Sequence, residues 1–434
     1  MFWDESDDYG KVFRIGLEFD GTIDENRLIA AFRIAIVRHA LLCASIDDSP
    51  RELRWQLAES IRFQYHRTGN FQTSPFSNPI AITHEPGLRF WYQFRDKRSE
   101  LVLEFHHASS DAIGARVFIR DWMHAYHEMQ HHGKILRDLS SIESSRLPTR
   151  GLFKRPVKSE STRTTSPWEK LVHAWHFHFR GPHPISLSDN TVLGLAHGSA
   201  SGQDKCMYHR FCLTLAQTDT LNELARQKEV SINELLVSVL IQAIHQWNSS
   251  EEKNSGWRRA RILIPSSHRG RTELKLPAAN RLGFGFVSIS RDQCISFSSV
   301  MNQTANQLRM NQKLRLGLDF VDLFGFASRW PWLTKRLLQL NRCMATAVLT
   351  NMGDVTMRFV RAWGTSEKQL QVGDLILTAV YGVPPLRPMT RAGFGVCRVN
   401  GKLHVAGQTA STDGFAESFF DLLKQCADQG CLPK

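Results

Sequence analysis

Apolar and polar positions set the first elements. Val12, Phe13, Ile15, Leu17 and Phe19 recur along one short stretch before Gly21, which predicts a strand closed by a turn. Asp24 then stands where a helix N-cap belongs, and Leu28, Ala31, Phe32, Ala35 and Ile36 fall on one helical face. That helix runs into Arg38-His39-Ala40-Leu41-Leu42. Short strands are predicted at Leu53–Leu57, Ile61–Tyr65, Leu88–Arg95 and Leu101–Phe105, and a helix from about Gly114 to Met129.

From about Asp138 to Pro167 the pattern breaks. Ser, Thr, Arg, Lys and Pro dominate, which reads as a linker, and Leu187–Asp204 is also rich in Ser and Gly. Regularity returns with a strand at Met207–Leu215, helices at Thr218–Glu229 and Asn233–Trp247, and strands at Arg261–Pro265, Phe284–Ser290, Ala347–Thr350 and Leu375–Tyr381. Asn400-Gly401 joins two more strands, Gly393–Val399 and Lys402–Gly407, as a two-residue hairpin turn. A closing helix, Asp413–Ala427, places Phe415, Phe419, Leu422, Leu423 and Cys426 at helical spacing. The expected architecture is mixed α/β in two halves. One covers 1–165, with a loop-rich linker from about 138; the other covers 166–434, with a crossover near 350.

Composition agrees with two domains: 434 residues exceed one ordinary core, and 42% hydrophobic with 22% charged residues is globular. Eight cysteines without a Cys-x-x-Cys argue against a zinc ribbon or redox motif and fit a reducing compartment. The acidic start, Met1 to Asp8, is unlike a secretory signal, and Ile232–Ile244 is too short and polar to span a bilayer. A cytoplasmic protein is expected. The net charge of +12 has no helix-turn-helix, zinc-finger or RNP pattern beside it, so nucleic acid is not an expected partner. Its basic residues are dispersed apart from groups such as Arg258-Arg259-Arg261 and Arg269-Arg271. A CoA phosphate or an acidic carrier protein suits that charge better than DNA.

The chemistry concentrates where the strand Leu101–Phe105 ends, at His106-His107-Ala108-Ser109-Ser110-Asp111, with Gly114 following. Histidine takes up and returns a proton near neutral pH. Adjacent residues in extended chain point opposite ways, so one histidine faces a cleft and the other packs. Taken alone, a His pair is more often satisfied structure than catalyst. A metal site lacks a third ligand at recognisable spacing. Gly283-Phe284-Gly285 is no dinucleotide fingerprint, and Gly198–Gly202 holds Ala200 where a hydrolase elbow needs serine.

Phe105-His106-His107-Ala108-Ser109-Ser110-Asp111 resembles the His-His-x-x-x-Asp-Gly signature of the CoA-dependent acyltransferase superfamily. That superfamily includes condensation domains, alcohol acetyltransferases, wax ester synthases and polyketide-associated acyltransferases. Further segments resemble the family in order: Arg38-His39-Ala40-Leu41-Leu42, Pro86-Gly87-Leu88-Arg89, Val230 to Leu236, Ile264-Pro265 with Arg269, Asn280-x-Leu282-Gly283, and Thr350-Asn351-Met352-Gly353. The resemblance spans about residues 10 to 425.

It implies two chloramphenicol-acetyltransferase-like lobes in a V with a tunnel at their interface. It also implies acyl transfer from a CoA or carrier-protein thioester to an alcohol or amine, in natural-product or lipid biosynthesis. His107 would be the general base beside His106, and Asp111 would be structural, paired with Arg269. Asn351 and Gly353 would line the tunnel. No bound cofactor or metal is implied, only acyl-CoA or phosphopantetheine thioester as co-substrate. Partners would be a small-molecule or acyl acceptor and an acyl carrier protein, and a monomer suffices. Two features depart from the family. Ala112 follows Asp111 where the family has glycine, which strains the turn if a positive φ is needed there. Tyr381-Gly382-Val383-Pro384-Pro385 stands where peptide-forming members carry Asp-Phe-Gly-Trp-Gly. These departures keep a rival reading open, a non-catalytic module that binds a carrier protein or acyl ligand.

Two aromatic runs stand apart. Trp168, Trp175, Phe177 and Phe179, with His173, His176 and His178, suit a segment lying on a membrane or covering the tunnel, although a buried helix is the commoner reading. Arg329-Trp330-Pro331-Trp332 leading to Lys335-Arg336 suits a peripheral membrane contact, although a packed helix with a basic outer face is the commoner reading.

Overall fold

A computed structural model of the protein describes residues 5, 9–49, 53–57, 63–69, 72, 74–76, 78–135, 139, 141–151, 153, 181–187, 206–250, 256–269, 275–314, 316–327, 329–338, 342–363, 369–410 and 414–432. The aromatic, histidine-rich run from Trp168 to Phe179 lies outside the described residues.

In the first half, β1 (Val12–Asp20) is followed by α1 (Glu25–Ile36), whose N-cap Asp24 accepts the Arg27 N–H. Then come β2 (Ala44–Asp47), β3 (Arg54–Leu57), β4 (Tyr65–His66), β5 (Leu88–Arg95), β6 (Arg98–His106) and α2 (Ala112–His132). Gly133, at φ 65°, ends α2 in the left-handed conformation that glycine adopts cheaply.

The second half runs β7 (Cys206–Cys212), α3 (Leu215–Gln227), α4 (Ile232–Ser250), β8 (Arg259–Ser267) and β9 (Leu282–Ser290). Helices α5 (Phe297–Leu314), α6 (Leu316–Ala327) and α7 (Pro331–Leu338) follow. The chain closes through β10 (Ala347–Asp354), α8 (Val355–Trp363), β11 (Gln371–Val372), β12 (Leu375–Val383), β13 (Ala392–Val399), β14 (Lys402–Ala410) and α9 (Phe415–Gln429). The Asn400-Gly401 turn has φ of 48° and 80°, both positive as a type I′ hairpin requires.

Two six-stranded mixed sheets result, ordered β11-β12-β1-β6-β5-β4 and β7-β14-β13-β10-β8-β9. Each packs its own apolar core, one against α1 and α2, the other against α3, α4, α5 and α9. The elements α8 and β12, counted with the second lobe in the sequence, build into the first: β12 pairs antiparallel with β1, and Val355, Phe359 and Leu377 join its core. The reason is chain economy. β10 and β13 pair parallel, and a parallel pair needs a long crossover; here that crossover supplies two strands to the other sheet.

The lobes touch where side chains are small or complementary. A Cβ at Gly395 would come within 2.0 Å of Gly382 O, so only glycine lets these strands meet backbone to backbone. Arg14 of β1 sits over Tyr208 of β7, 4.5 Å from the ring centroid. Arg210 of β7 reaches Glu18 and, at 3.2 Å, Glu100. Near α7 the packing departs from a wholly packed helix: Phe326, Trp330 and Trp332 are 56%, 44% and 68% exposed. No helix among the described residues is long and apolar enough to cross a membrane.

Candidate functional site

The His-bearing turn lies where the first lobe meets the loop that leads into β9. β6 pairs with β1 up to Val12 opposite His106, so the turn begins at the rim of a rigid antiparallel pair. The two histidines then part. His106 is fully buried, its Nδ1 accepts the Ala108 N–H at 3.1 Å, and its Nε2 lies 3.2 Å from Glu5. With Nδ1 accepting, the proton belongs on Nε2 and points at the Glu5 carboxylate.

His107 is held by its main chain. Its N–H donates to Lys11 O at 2.7 Å, and its carbonyl accepts from Asn280 Nδ2 at 2.6 Å. The ring packs on Phe13 with centroids 4.6 Å apart, and Nδ1 is buried without a hydrogen-bond partner. Burial pushes its pKa down to about 3; His106 and the buried Lys11 add to the effect, and the Ser110 backbone opposes it. The ring is therefore neutral at any physiological pH.

Asp111 is the hinge between lobes. As N-cap of α2 it accepts the Gly114 N–H on Oδ1 at 2.6 Å, while Oδ2 accepts the Arg281 N–H at 2.7 Å. Arg269 Nη2 stands 3.5 Å from Oδ1 and donates to Ala279 O at 2.5 Å. Both partners are almost wholly buried, and Arg269 retains Nε and Nη1 without a partner. Asp111 N–H in turn donates to Ala279 O at 3.4 Å.

Gly114 is a point of close approach between the lobes. A Cβ there would meet Ser110 Oγ at 2.6 Å and Ala279 N and O at 2.7 Å. The strain expected at Ala112 is absent, since Ala112 opens α2 and is not among the positive-φ residues. The tight glycine is two residues further on.

Asn351 and Gly353 sit at the end of β10. Asn351 is exposed and accepts the Gly353 N–H at 2.8 Å; among the described residues no hydrogen bond joins it to His107. Gly353 takes φ 70°, with Arg358 Nη2 2.9 Å from where its Cβ would be.

Three residues act at this junction that the sequence motifs did not single out as site residues. Asn280 and Arg281 clamp the turn from the second lobe. His39 is buried, its Nδ1 accepting the Ala278 N–H at 2.9 Å and its Nε2 3.4 Å from Asp121. Their signal was present in Arg38-His39 and in Asn280-x-Leu282-Gly283, but nothing in either motif says that one touches the other lobe. Arg116 of α2 completes the surroundings; burial, then Arg358 and Arg269, lower its pKa to about 10. Among the described residues no group of His, Cys, Asp and Glu is arranged to hold a metal.

No family model matches the chain, and no curated protein matches it. Solved structures do. A mutant starter condensation domain of rhizomide synthetase, in complex with C8-CoA, aligns with TM-score 0.62 and 15% identity over 98% of this chain and 92% of that one. The epimerization domain of the third module of tyrocidine synthetase B gives 0.61 and 13% over 98% and 94%. Polyketide synthase associated protein 5 from Mycobacterium tuberculosis gives 0.60 and 14% over 96% and 94%. The chain has the two-lobed, chloramphenicol-acetyltransferase-like fold of condensation domains.

Proposed function

We propose that the protein transfers an acyl group from a CoA or carrier-protein thioester to an alcohol or amine, with His107 as general base. The observation that carries this reading is the His107 ring, fixed through its main chain to both lobes, packed at a tilt against Phe13 and kept neutral by burial. A neutral ring nitrogen takes the acceptor's O–H or N–H proton as that oxygen or nitrogen bonds to the thioester carbonyl carbon. The tetrahedral adduct then breaks its C–S bond, and the leaving thiolate takes the proton back from the imidazolium. Negative charge developing on the carbonyl oxygen and then on sulfur favours the protonated ring at the moment it is needed.

In this reading Asp111, Arg269 and Gly114 position the turn, His106 anchors it, and Asn351 and Gly353 border the path of the substrates between the lobes. The C8-CoA bound to the rhizomide synthetase domain supports a CoA-type donor. The +12 net charge suits an acidic carrier protein. Exposed Phe326, Trp330 and Trp332 beside Arg329, Lys335 and Arg336 support a peripheral membrane contact.

The second reading, a domain that binds without turnover, draws on one observation. His107 Nδ1 has no partner to fix its tautomer, as a base is usually fixed by a third group. Thiol release from acyl-CoAs of several lengths, with pooled alcohols and amines, separates the two. Acceptor-dependent turnover is expected to fall about a hundredfold or more in His107→Ala. Equal, acceptor-independent rates in both proteins would sink the general-base reading.

A further inference from the structure

The second lobe holds a cavity of about 940 Å³ between α4, the start of β8 and the end of β9. Among the described residues, Arg258, Arg259 and Arg291 line it with one carboxylate, Asp292. The arginine backbones are tied together: Arg291 N–H donates to Arg258 O at 2.9 Å, and Arg258 N–H to His183 Nδ1 at 3.3 Å. Trp257 and His245 form the wall, their rings 5.5 Å apart and edge to face. Trp257 is only 2% exposed, and its Nε1 is buried with no hydrogen-bond partner, as is His245 Nδ1. An indole N–H can only donate, so this buried group asks for an acceptor that the protein does not supply.

The cavity is remote from the His-bearing turn. β8 runs from Arg259 to Ser267, roughly 26 Å at strand rise, and Arg269 and Asp111 lie beyond its far end. A ligand here does not share the acyl-transfer site.

We infer that this cavity binds a phosphorylated small molecule of nucleotide size. Guanidinium forks match pairs of phosphate oxygens, and among the described lining residues three of them stand against one carboxylate. The volume falls within the usual range for small-molecule sites.

Titration calorimetry on the whole chain at low salt tests this with three probes: inorganic pyrophosphate, ATP and free CoA. Saturable binding of pyrophosphate and ATP is expected, at least tenfold weaker in the double variant R259A/R291A. His107→Ala binds like the wild type, so failure of the acyl-transfer reading leaves this result standing. No saturable binding of pyrophosphate or ATP to the wild type would overturn the inference, and so would equal binding by R259A/R291A. Binding of CoA alone would also overturn it, because recognition would then rest on the pantetheine arm.

Discussion

Arginines stand near both ends of β8, and the two ends use them differently. Beyond its C-terminal end, Arg269 and the main chain of Arg281 converge on Asp111, and Arg281 Nη1 donates to Arg150 O at 2.6 Å. At its N-terminal end, Arg258 and Arg259 border a cavity, and among the described residues neither makes an ion pair within 4 Å. One end joins two lobes of a single chain, where a lost partner is a buried unpaired charge. The other faces an opening, where a guanidinium can stay hydrated until something arrives. The same residue type thus serves architecture at one end and recognition at the other.

The strongest way to break the contrast is to remove the carboxylate at the joined end. Asp111→Ala leaves the Gly114 and Arg281 N–H groups and the Arg269 guanidinium without their acceptor. Breaking a buried pair in this way costs about 3–5 kcal/mol. Urea denaturation should show a loss of that size, together with poor soluble yield. A loss below about 1 kcal/mol would mean that Asp111 does not hold the lobes together.

Gly114→Ala acts on the same joint through volume. The new methyl would collide with Ser110 Oγ and with the Ala279 backbone, and backbone cannot swing aside as a flexible side chain can. Overpacking of this kind costs about 1–3 kcal/mol, measurable as a lower urea midpoint with an unchanged m-value. Because Ala112 already sits comfortably at the first helical position, Ala112→Gly should bring no matching gain.

The sequence made one side of this joint legible and hid the other. Alternation and caps placed β1, α1 and α2 to within a few residues, because each has one buried face and a more exposed one, and β5 and β6 were found as short apolar runs, being buried on both faces over most of their length. β8 reads as Arg261–Pro265 yet spans Arg259–Ser267, since its ends are polar and are held by β9 rather than by apolar burial. Ile61–Tyr65 reads as a strand, but the described pairing begins only at Tyr65 and covers two residues. The transfer of β12 to the first sheet leaves no mark on its own residues; its apolar run would suit either sheet. The spacing of His107, Asp111 and Arg269 was visible through the family resemblance, whereas His39 meeting Ala278 is a contact across 239 positions. The cavity is hidden for the same reason, being assembled from residues near 183, 245, 257 and 291.

Acid should loosen the joined end. His39 Nδ1 accepts an N–H from the second lobe, so a protonated ring would set donor against donor. Burial lowers the pKa of His39, against the pull of Asp121, and brings His107 to about 3. The fold therefore resists protonation of both rings, whereas the unfolded chain takes up these protons near pH 6.5. Stability is complete above that pH and declines as the pH falls below it, the loss continuing toward the folded-state values. Between pH 7.5 and 5.0 the His107 ring, held down to about 3, contributes a loss on the order of 2 kcal/mol, and His39 adds to it in the same direction. His39→Gln keeps an acceptor for Ala278 and removes the titration, so its urea midpoint should vary less over that range. An equal slope in wild type and variant would place the acid sensitivity elsewhere.

The smallest expected effect is the most direct test of the open end. If Arg258 and Arg259 hold no part of the fold, replacing both by alanine changes stability by no more than about 0.5 kcal/mol. Removing two neighbouring positive charges also relieves their mutual repulsion, which offsets part of the lost stems. Thermal unfolding without ligand should therefore coincide for R258A/R259A and wild type, while pyrophosphate raises the wild-type midpoint alone. Should the double variant instead lose as much stability as Asp111→Ala, the arginines at both ends of β8 would be architectural. The contrast between a joined end and an open one would then fail, whatever the cavity binds.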